Sequence, residues 1–257
     1  MTPESLQSEL SGRLHDTALG TDLLVLGETG STNDEALMLA REGAPHGTVV
    51  IALSQTSGRG RLGRSWSNQK GHSLCLSLLL RPGMPMRKAG RLTFHAGLAC
   101  HRALASLTGL PLRIKWPNDL LWENRKICGI LTESLSKDGS ANAVVVGFGC
   151  NLNQSEKDFP LEIRSRAASL AQLTGKHWEL ADVAVSVLKE MGTVLNEPWP
   201  CILTEWKRHC PNLGKTVRVA TGDETFEALL IDIDAEGALL LQLPGGARRR
   251  LHSAEIL

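Results

Sequence analysis

Apolar positions along this 257-residue chain keep helical spacing in some segments and strand alternation in others. Pro3 to Leu14 reads as a short amphipathic helix, and Leu23–Glu28 as a strand. In Gly30-Ser31-Thr32-Asn33-Asp34, Ser31 and Asp34 have capping-box spacing for a helix that continues from Ala36 to Arg41. Gly43, Pro45 and Gly47 stop that helix. Thr48–Ser54 and Ser73–Leu80 are apolar enough for buried strands, the second ended by Pro82. Between them, Arg59 to Gly71 holds three glycines and no apolar period, a loop of functional length.

Arg87 to Leu107 returns to helical spacing and ends at Gly109 and Pro111. Two strands, Leu112–Trp122 and Lys126–Glu133, are expected around a turn at Glu123–Arg125. A polar turn at Lys137–Asn142 leads to a buried strand at Ala143–Gly149. Glu179 to Cys210 is mostly helical, interrupted by Pro198 and Pro200. From Asn212 the pattern shortens to alternating runs at Thr216–Ala220, Thr225–Asp232, Ala238–Gln242 and Arg248–His252, separated by Gly-Asp, Glu-Gly and Gly-Gly turns. The expectation is a mixed α+β domain over residues 1–210 followed by a small β-barrel over 211–257.

Composition narrows the partners. Lys plus Arg number 28 against 27 Asp plus Glu, a net charge of +1, so any positive charge that matters is local. There are six Trp, four Phe and no Tyr, so no tyrosine hydroxyl serves as acid, base or hydrogen-bond group. The six cysteines form no C-x-x-C pair and read as small apolar residues in a reducing compartment. Residues 1–14 have no apolar run of the signal-peptide kind, and no segment reaches the roughly 20 apolar residues of a membrane span. The expectation is a cytoplasmic protein.

Three segments carry candidate chemistry. Gln55-Thr56-Ser57-Gly58-Arg59-Gly60-Arg61-Leu62-Gly63-Arg64-Ser65-Trp66 has three arginines and no carboxylate. Arginine forks suit phosphate or carboxylate, glycines let the backbone approach an anion, and Trp66 offers a flat face for a base. The same composition also fits a solvated basic loop or an Arg-Gly grip on single-stranded nucleic acid. Lys115-Trp116-Pro117-Asn118-Asp119 sets a cation, an amide and an acid around a proline, which equally describes an ordinary turn. Lys126-Ile127-Cys128-Gly129-Ile130-Leu131 opens an apolar strand with a lysine, and Gly129 inside it suggests close approach by a ligand.

Together with Gly30-Ser31-Thr32-Asn33 and Gly147-Phe148-Gly149-Cys150-Asn151-Leu152-Asn153, these segments resemble the biotin–protein ligase family, in order, over about Leu23 to Asn153. The resemblance implies a class II synthetase-like catalytic domain with an SH3-like C-terminal barrel. It also implies that biotin and MgATP form biotinoyl-5′-AMP and that the acyl group then passes to a lysine of a biotin carboxyl carrier protein domain. Ser31, Thr32, Asn33, Gln55, Gly58, Arg59, Gly60, Arg61, Lys126 and Gly129 match biotin-pocket positions. Arg61, Arg64, Trp66, Lys115, Asn118, Lys126 and Asn151 match the nucleotide side. Lys126, Arg59, Arg61 and Asp119 are the candidate catalytic groups, with Asp119 orienting the incoming lysine or taking its proton; no protein ligand is assigned to Mg2+.

Some family members carry an N-terminal DNA-binding domain. Only about 22 residues precede the first expected strand here and they hold no basic cluster, so a ligase without operator DNA is expected, as monomer or homodimer. The alternative within the same chemistry is a lipoate–protein ligase. Arg248-Arg249-Arg250 reads as a solvated edge strand, with contact to an acidic carrier or to ATP phosphates as the alternative.

Overall fold

The computed structural model describes residues 1–257, the Lys137 side chain excepted. Helix α1 (Pro3–Leu14) starts with a Thr2–Ser5 capping box and buries Leu6, Leu10 and Leu14. Strand β1 (Leu23–Leu26) leads to α2 (Thr32–Arg41), then β2 (Val49–Ala52), β3 (Ser73–Leu80) and the short β4 (Met84–Pro85). Helix α3 (Arg91–Thr108) closes on Gly109 in the left-handed conformation. Strands β5 (Arg113–Lys115), β6 (Asp119–Trp122), β7 (Arg125–Lys137) and β8 (Ser140–Asn151) follow. Next come α4 (Leu161–Arg164), α5 (Leu170–Thr174), α6 (Leu180–Leu195) and α7 (Trp199–Arg208). The chain ends with β9 (Thr216–Thr221), β10 (Glu224–Ile233), β11 (Leu239–Gln242), β12 (Arg248–Leu251) and β13 (Glu255–Ile256).

The first eight strands form one mixed sheet in the order β1-β2-β3-β8-β7-β6-β5, with β4 on β8; β1 and β2 pair in parallel and the rest antiparallel. All eight residues of β3 are buried because both of its faces are covered. Leu74, Leu76, Leu78 and Leu80 pack into the large core with α1, α3, α6 and α7. On the opposite face, Val50, Leu79, Ala143 and Val145 pack against Ala36 and Ala40 of α2. The expected mixed sheet with helices and a separate C-terminal antiparallel sheet (order β12-β11-β10-β9-β13) is what the chain forms. No helix among the described residues is long and apolar enough to cross a membrane.

Four local expectations change. The run Leu112–Trp122 is two strands, β5 and β6, paired Lys115 to Asp119 across a turn that holds Pro117, which has no N–H to give a ladder. Ser31 sits at the N-cap of α2 but its side chain does not cap, and Asp34 turns to Arg59; the helix therefore begins at Thr32. Pro200 does not interrupt a helix, because it falls in the first turn of α7, where no intrahelical donor is needed. Five of the six cysteines are buried free thiols, but Cys201 is exposed.

The C-terminal sheet is tied to the rest by side chains donating to its turn between β10 and β11. Trp116 Nε1 donates to the Gly237 carbonyl at 3.0 Å and Trp199 Nε1 to that of Ala235 at 2.7 Å. β12 is an edge strand, and its arginines meet carboxylates of their own sheet: Arg249 with Glu224, and Arg250 with Asp234 and Glu236.

Gly237 has φ +87°, and a Cβ there would come within 2.8 Å of the Phe94 ring. Gly237→Ala is expected to destabilise the protein by about 2–3 kcal/mol through strain and overpacking together. Gly245→Ala, with φ +96° and open space around it, should lose only about 1 kcal/mol. Urea denaturation of the two variants measures the difference.

Candidate active site

Facing α2, the middle of the sheet runs out of side chains. On β3 and β8, Leu79 and Val145 are the last large residues on that face; Ser77 and Cys75 on β3 and Gly147 and Gly149 on β8 come next in register, beside Leu131 and Gly129 on β7. Where a bulky sheet face would press against a helix, this one leaves an open cleft. A side chain at Gly147 would collide with Asn33 Oδ1. One at Gly149 would come within 2.6 Å of the Trp66 ring.

A β-bulge puts the key cation on this face. Leu120 pairs with Cys128 but Leu121 with Lys126, so Ile127 is the extra residue on β7. Strict alternation would send Lys126 the way of Cys128 and Ile130, into the core. Instead Ile127 is fully buried and the Lys126 ammonium lies over Gly129, where a Cβ would come within 2.9 Å of Nζ. Nζ is 2.7 Å from Asp119 Oδ1 and 5.6 Å from the Trp66 ring centre. Asp119 stands opposite Gly129 on one side and Lys115 on the other. Burial pulls the Lys115 ammonium below its ordinary pKa, with Asp119 acting against that shift.

The glycine-rich loop forms a small hairpin. Trp66 N–H donates to the Gly58 carbonyl at 2.8 Å and Gly60 N–H to that of Arg64 at 2.7 Å, with a turn at Arg61–Gly63. Gly58 is close-packed, since a Cβ there would meet Gln55 Nε2 and the Trp66 carbonyl at 2.8 Å. The hairpin lays the Trp66 indole flat on Gly149, and its Nε1 is buried with no hydrogen-bond partner. An unpaired buried donor costs about 1–3 kcal/mol, so this atom suits an acceptor brought by a ligand.

At the α2 end the cleft is polar and ordered. Gln55 Oε1 accepts from both the N–H and the hydroxyl of Thr32, at 2.8 and 2.9 Å. The Ser77 hydroxyl lies 2.6 Å from Asn33 Oδ1 and 2.8 Å from Thr32 Oγ1. Asn33 Nδ2 donates to Glu133 at 2.7 Å. Ser31 lines the same end. Small polar groups at the start of a helix thus form one hydrogen-bonded row facing the glycine floor.

The structure therefore gathers Ser31, Thr32, Asn33 and Gln55 at one end, Trp66 and Gly129 in the middle, and Lys126 and Arg61 at the mouth. Arg59, Gly60, Asn118, Ile130, Leu131 and the segment 147–149 complete the lining. Asn118 Nδ2 donates to the Ile130 carbonyl, and Asn151 Nδ2 to that of Ala168. Arg59 and Arg64 point their guanidinium groups at carboxylates: Asp34 for the first, Glu255 for the second. Arg61 lies 5.9 Å over the Trp116 ring, and burial lowers its pKa from the usual arginine value.

Sequence reasoning missed Ser77, Asp34 as a partner of Arg59, Glu133 and Glu255. Ser77 had a signal: a hydroxyl inside the apolar run Ser73–Leu80, on the same face as Cys75. The others are ordinary charged residues whose partners lie 25 to 191 positions away.

A mixed sheet with a bare glycine floor, a polar row at one end and cations at the other defines a cleft for an anionic small molecule, as in acid-joining ligases. Residues 28–151 match the Biotin/lipoate A/B protein ligase family, and residues 213–257 the biotin protein ligase C-terminal domain. The chain is 35% identical over 254 residues to the bifunctional ligase/repressor BirA of Bacillus subtilis (strain 168), covering 97% of this chain and 78% of that protein. It is 33% identical over 239 residues to the biotin–[acetyl-CoA-carboxylase] ligase of Paracoccus denitrificans, covering 90% and 98%. The biotin protein ligase from Aquifex aeolicus, solved with biotin and ATP, superposes with a TM-score of 0.78 at 30% identity, over 92% of this chain and 99% of that one. The chain belongs to the biotin–protein ligase family and is an enzyme of the ligase class.

If the floor must be bare for Trp66 to lie on it, Gly149→Ala should expel the indole and loosen the hairpin. Limited trypsin digestion should then cut after Arg59, Arg61 or Arg64 several-fold faster than in the unaltered protein.

Proposed function

We propose that this enzyme joins biotin to one lysine of a biotin carboxyl carrier domain through biotinoyl-5′-AMP, with biotin and MgATP as substrates. The observation that carries the reading is the convergence of Lys126 and Arg61 on a glycine floor under Trp66. In the first step a biotin carboxylate oxygen bonds to the α-phosphorus as the bond to pyrophosphate breaks. Both reactants are anions, so cations held at the mouth of a partly desolvated cleft offset their repulsion and the charge of the transition state. In the second step the lysine amine bonds to the acyl carbon and AMP leaves.

The polar row supports biotin over lipoate. A ureido ring brings two N–H donors and a carbonyl acceptor to Ser31, Thr32, Asn33 and Gln55, two of which the buried Ser77 hydroxyl holds in place. A dithiolane brings no such groups, so it gains none of the hydrogen bonds that this row of amides and hydroxyls can share with a ureido ring. The Lys126–Asp119 pair supports the order of steps. Once Lys126 turns to the acyl phosphate, Asp119 loses its cation and becomes free to accept a proton from the incoming amine, whose ordinary pKa is near 10.4. MgATP enters as a substrate with its metal on the phosphates. Among the described residues, no group of three His, Cys, Asp or Glu side chains is placed to hold a metal.

Incubation with biotin, MgATP and a carrier domain should add one biotinoyl group to one carrier lysine, read by mass spectrometry; no addition would sink the proposal. Lys126→Gln should lower the first-step rate by about 10²–10³-fold. Biotin, but not lipoate, should raise the melting temperature.

A further inference from the structure

The three loop arginines differ in what they touch. Arg59 meets Asp34 of α2 in a two-point fork at 2.5 and 2.6 Å, with Glu133 of β7 at 3.4 Å. Arg64 forks onto Glu255 of β13 with both guanidinium nitrogens, one at 2.6 Å. Arg61, between them, has no carboxylate partner among the described residues and faces the cleft. Arg59 and Ser65 stand opposite each other across the hairpin, between the Trp66 N–H to Gly58 and Gly60 N–H to Arg64 bonds, so the two forks hold opposite arms of one unit. One fork joins the loop to the elements that carry the polar row. The other joins it to the C-terminal sheet. Asp34 follows Asn33 directly, and Glu133 also accepts from Asn33, so this fork and the polar row share two residues' worth of backbone and one carboxylate.

We propose that Arg59 and Arg64 are positioning residues that strap the loop through Asp34, Glu133 and Glu255, leaving Arg61 as the loop guanidinium that meets the ligand. Two-point forks fix direction as well as distance, which a single lysine contact at either place would not do. The pairs are partly exposed, 38% and 54% for Arg59 and Asp34, so they add little to global stability and act on the placement of the loop. With the straps in place the Trp66 indole stays on Gly149 and Arg61 stays at the mouth. Without them the hairpin swings off its ligand, and a bound acyl-adenylate escapes.

The inference rests on the proposed acyl-adenylate chemistry for its kinetic readout but not for its structural one. Charge exchange separates strap from substrate contact. R64E and E255R, and likewise R59D and D34R, should each raise the biotin KM and the rate of adenylate release by about fivefold to tenfold with a smaller change in kcat, in keeping with a bidentate exposed pair. The exchanged doubles, R64E/E255R and R59D/D34R, should recover most of that loss because each fork is rebuilt with its charges swapped. A double variant as impaired as its arginine single, beside an unimpaired E255R or D34R, would overturn the proposal and make that arginine a substrate contact. Limited trypsin digestion of the ligand-free proteins reads the same straps directly. Faster cutting after Arg61 in E255R and D34R, restored to normal in the doubles, is expected; equal cutting in all would overturn the straps even if adenylate is made. If the unaltered enzyme makes no adenylate while the digestion pattern holds, the proposed function fails and the straps stand.

Discussion

Everything at the site depends on a missing set of side chains. Gly129, Gly147 and Gly149 fall on one face of two neighbouring strands, and Ser77 and Cys75 beside them are small. That face would otherwise continue the apolar contact of Val145 and Leu79 with α2. Its bareness allows Asn33 to reach over Gly147, Trp66 to lie on Gly149 and Lys126 to fold over Gly129. The sheet keeps its stability because the opposite face of the same strands is filled without interruption by the larger core.

Around that floor, charge is arranged in pairs that a ligand must rearrange. Lys126 is held by Asp119 and the loop's outer arginines by carboxylates, so most of the cations around the cleft already have an acidic partner. A net charge of +1 for the whole chain is the sum of such local balances. An anion that enters exchanges partners with groups already ordered, which keeps the reorganisation at the reacting centre small. It also weakens unspecific attraction for polyanions, since few cations are free to neutralise phosphates.

Much of this was legible in the sequence. Periodicity located α1 and β3 to the residue, because a helix with one apolar stripe and a strand covered on both faces have unambiguous patterns. The glycine and lysine motifs could be found because such residues are unusual inside apolar strands. The hairpin at Pro117 is hidden in the sequence, since β5 has only three residues and its pattern merges with that of β6. The turn of Lys126 toward the cleft depends on a bulge at Ile127, and a bulge changes register without changing composition. The partners of Arg59 and Arg64 come from distant parts of the chain, and nothing local distinguishes Asp34, Glu133 or Glu255 from other surface acids. Long-range pairing of common residues is what a single sequence hides.

The alternation of faces along β7 and β8 has a consequence for how such an enzyme can change over time. Past the bulge at Ile127, Gly129 and Leu131 on β7 and Gly147 and Gly149 on β8 face the cleft, while Ile130 and Phe148 between them belong to the core. A substitution at Leu131, which borders the cleft and lies outside the core cluster, alters the shape of the cleft while the core packing behind it is untouched. Selection can therefore search new substrate shapes at one set of positions and repair stability at the other, with little interference between the two.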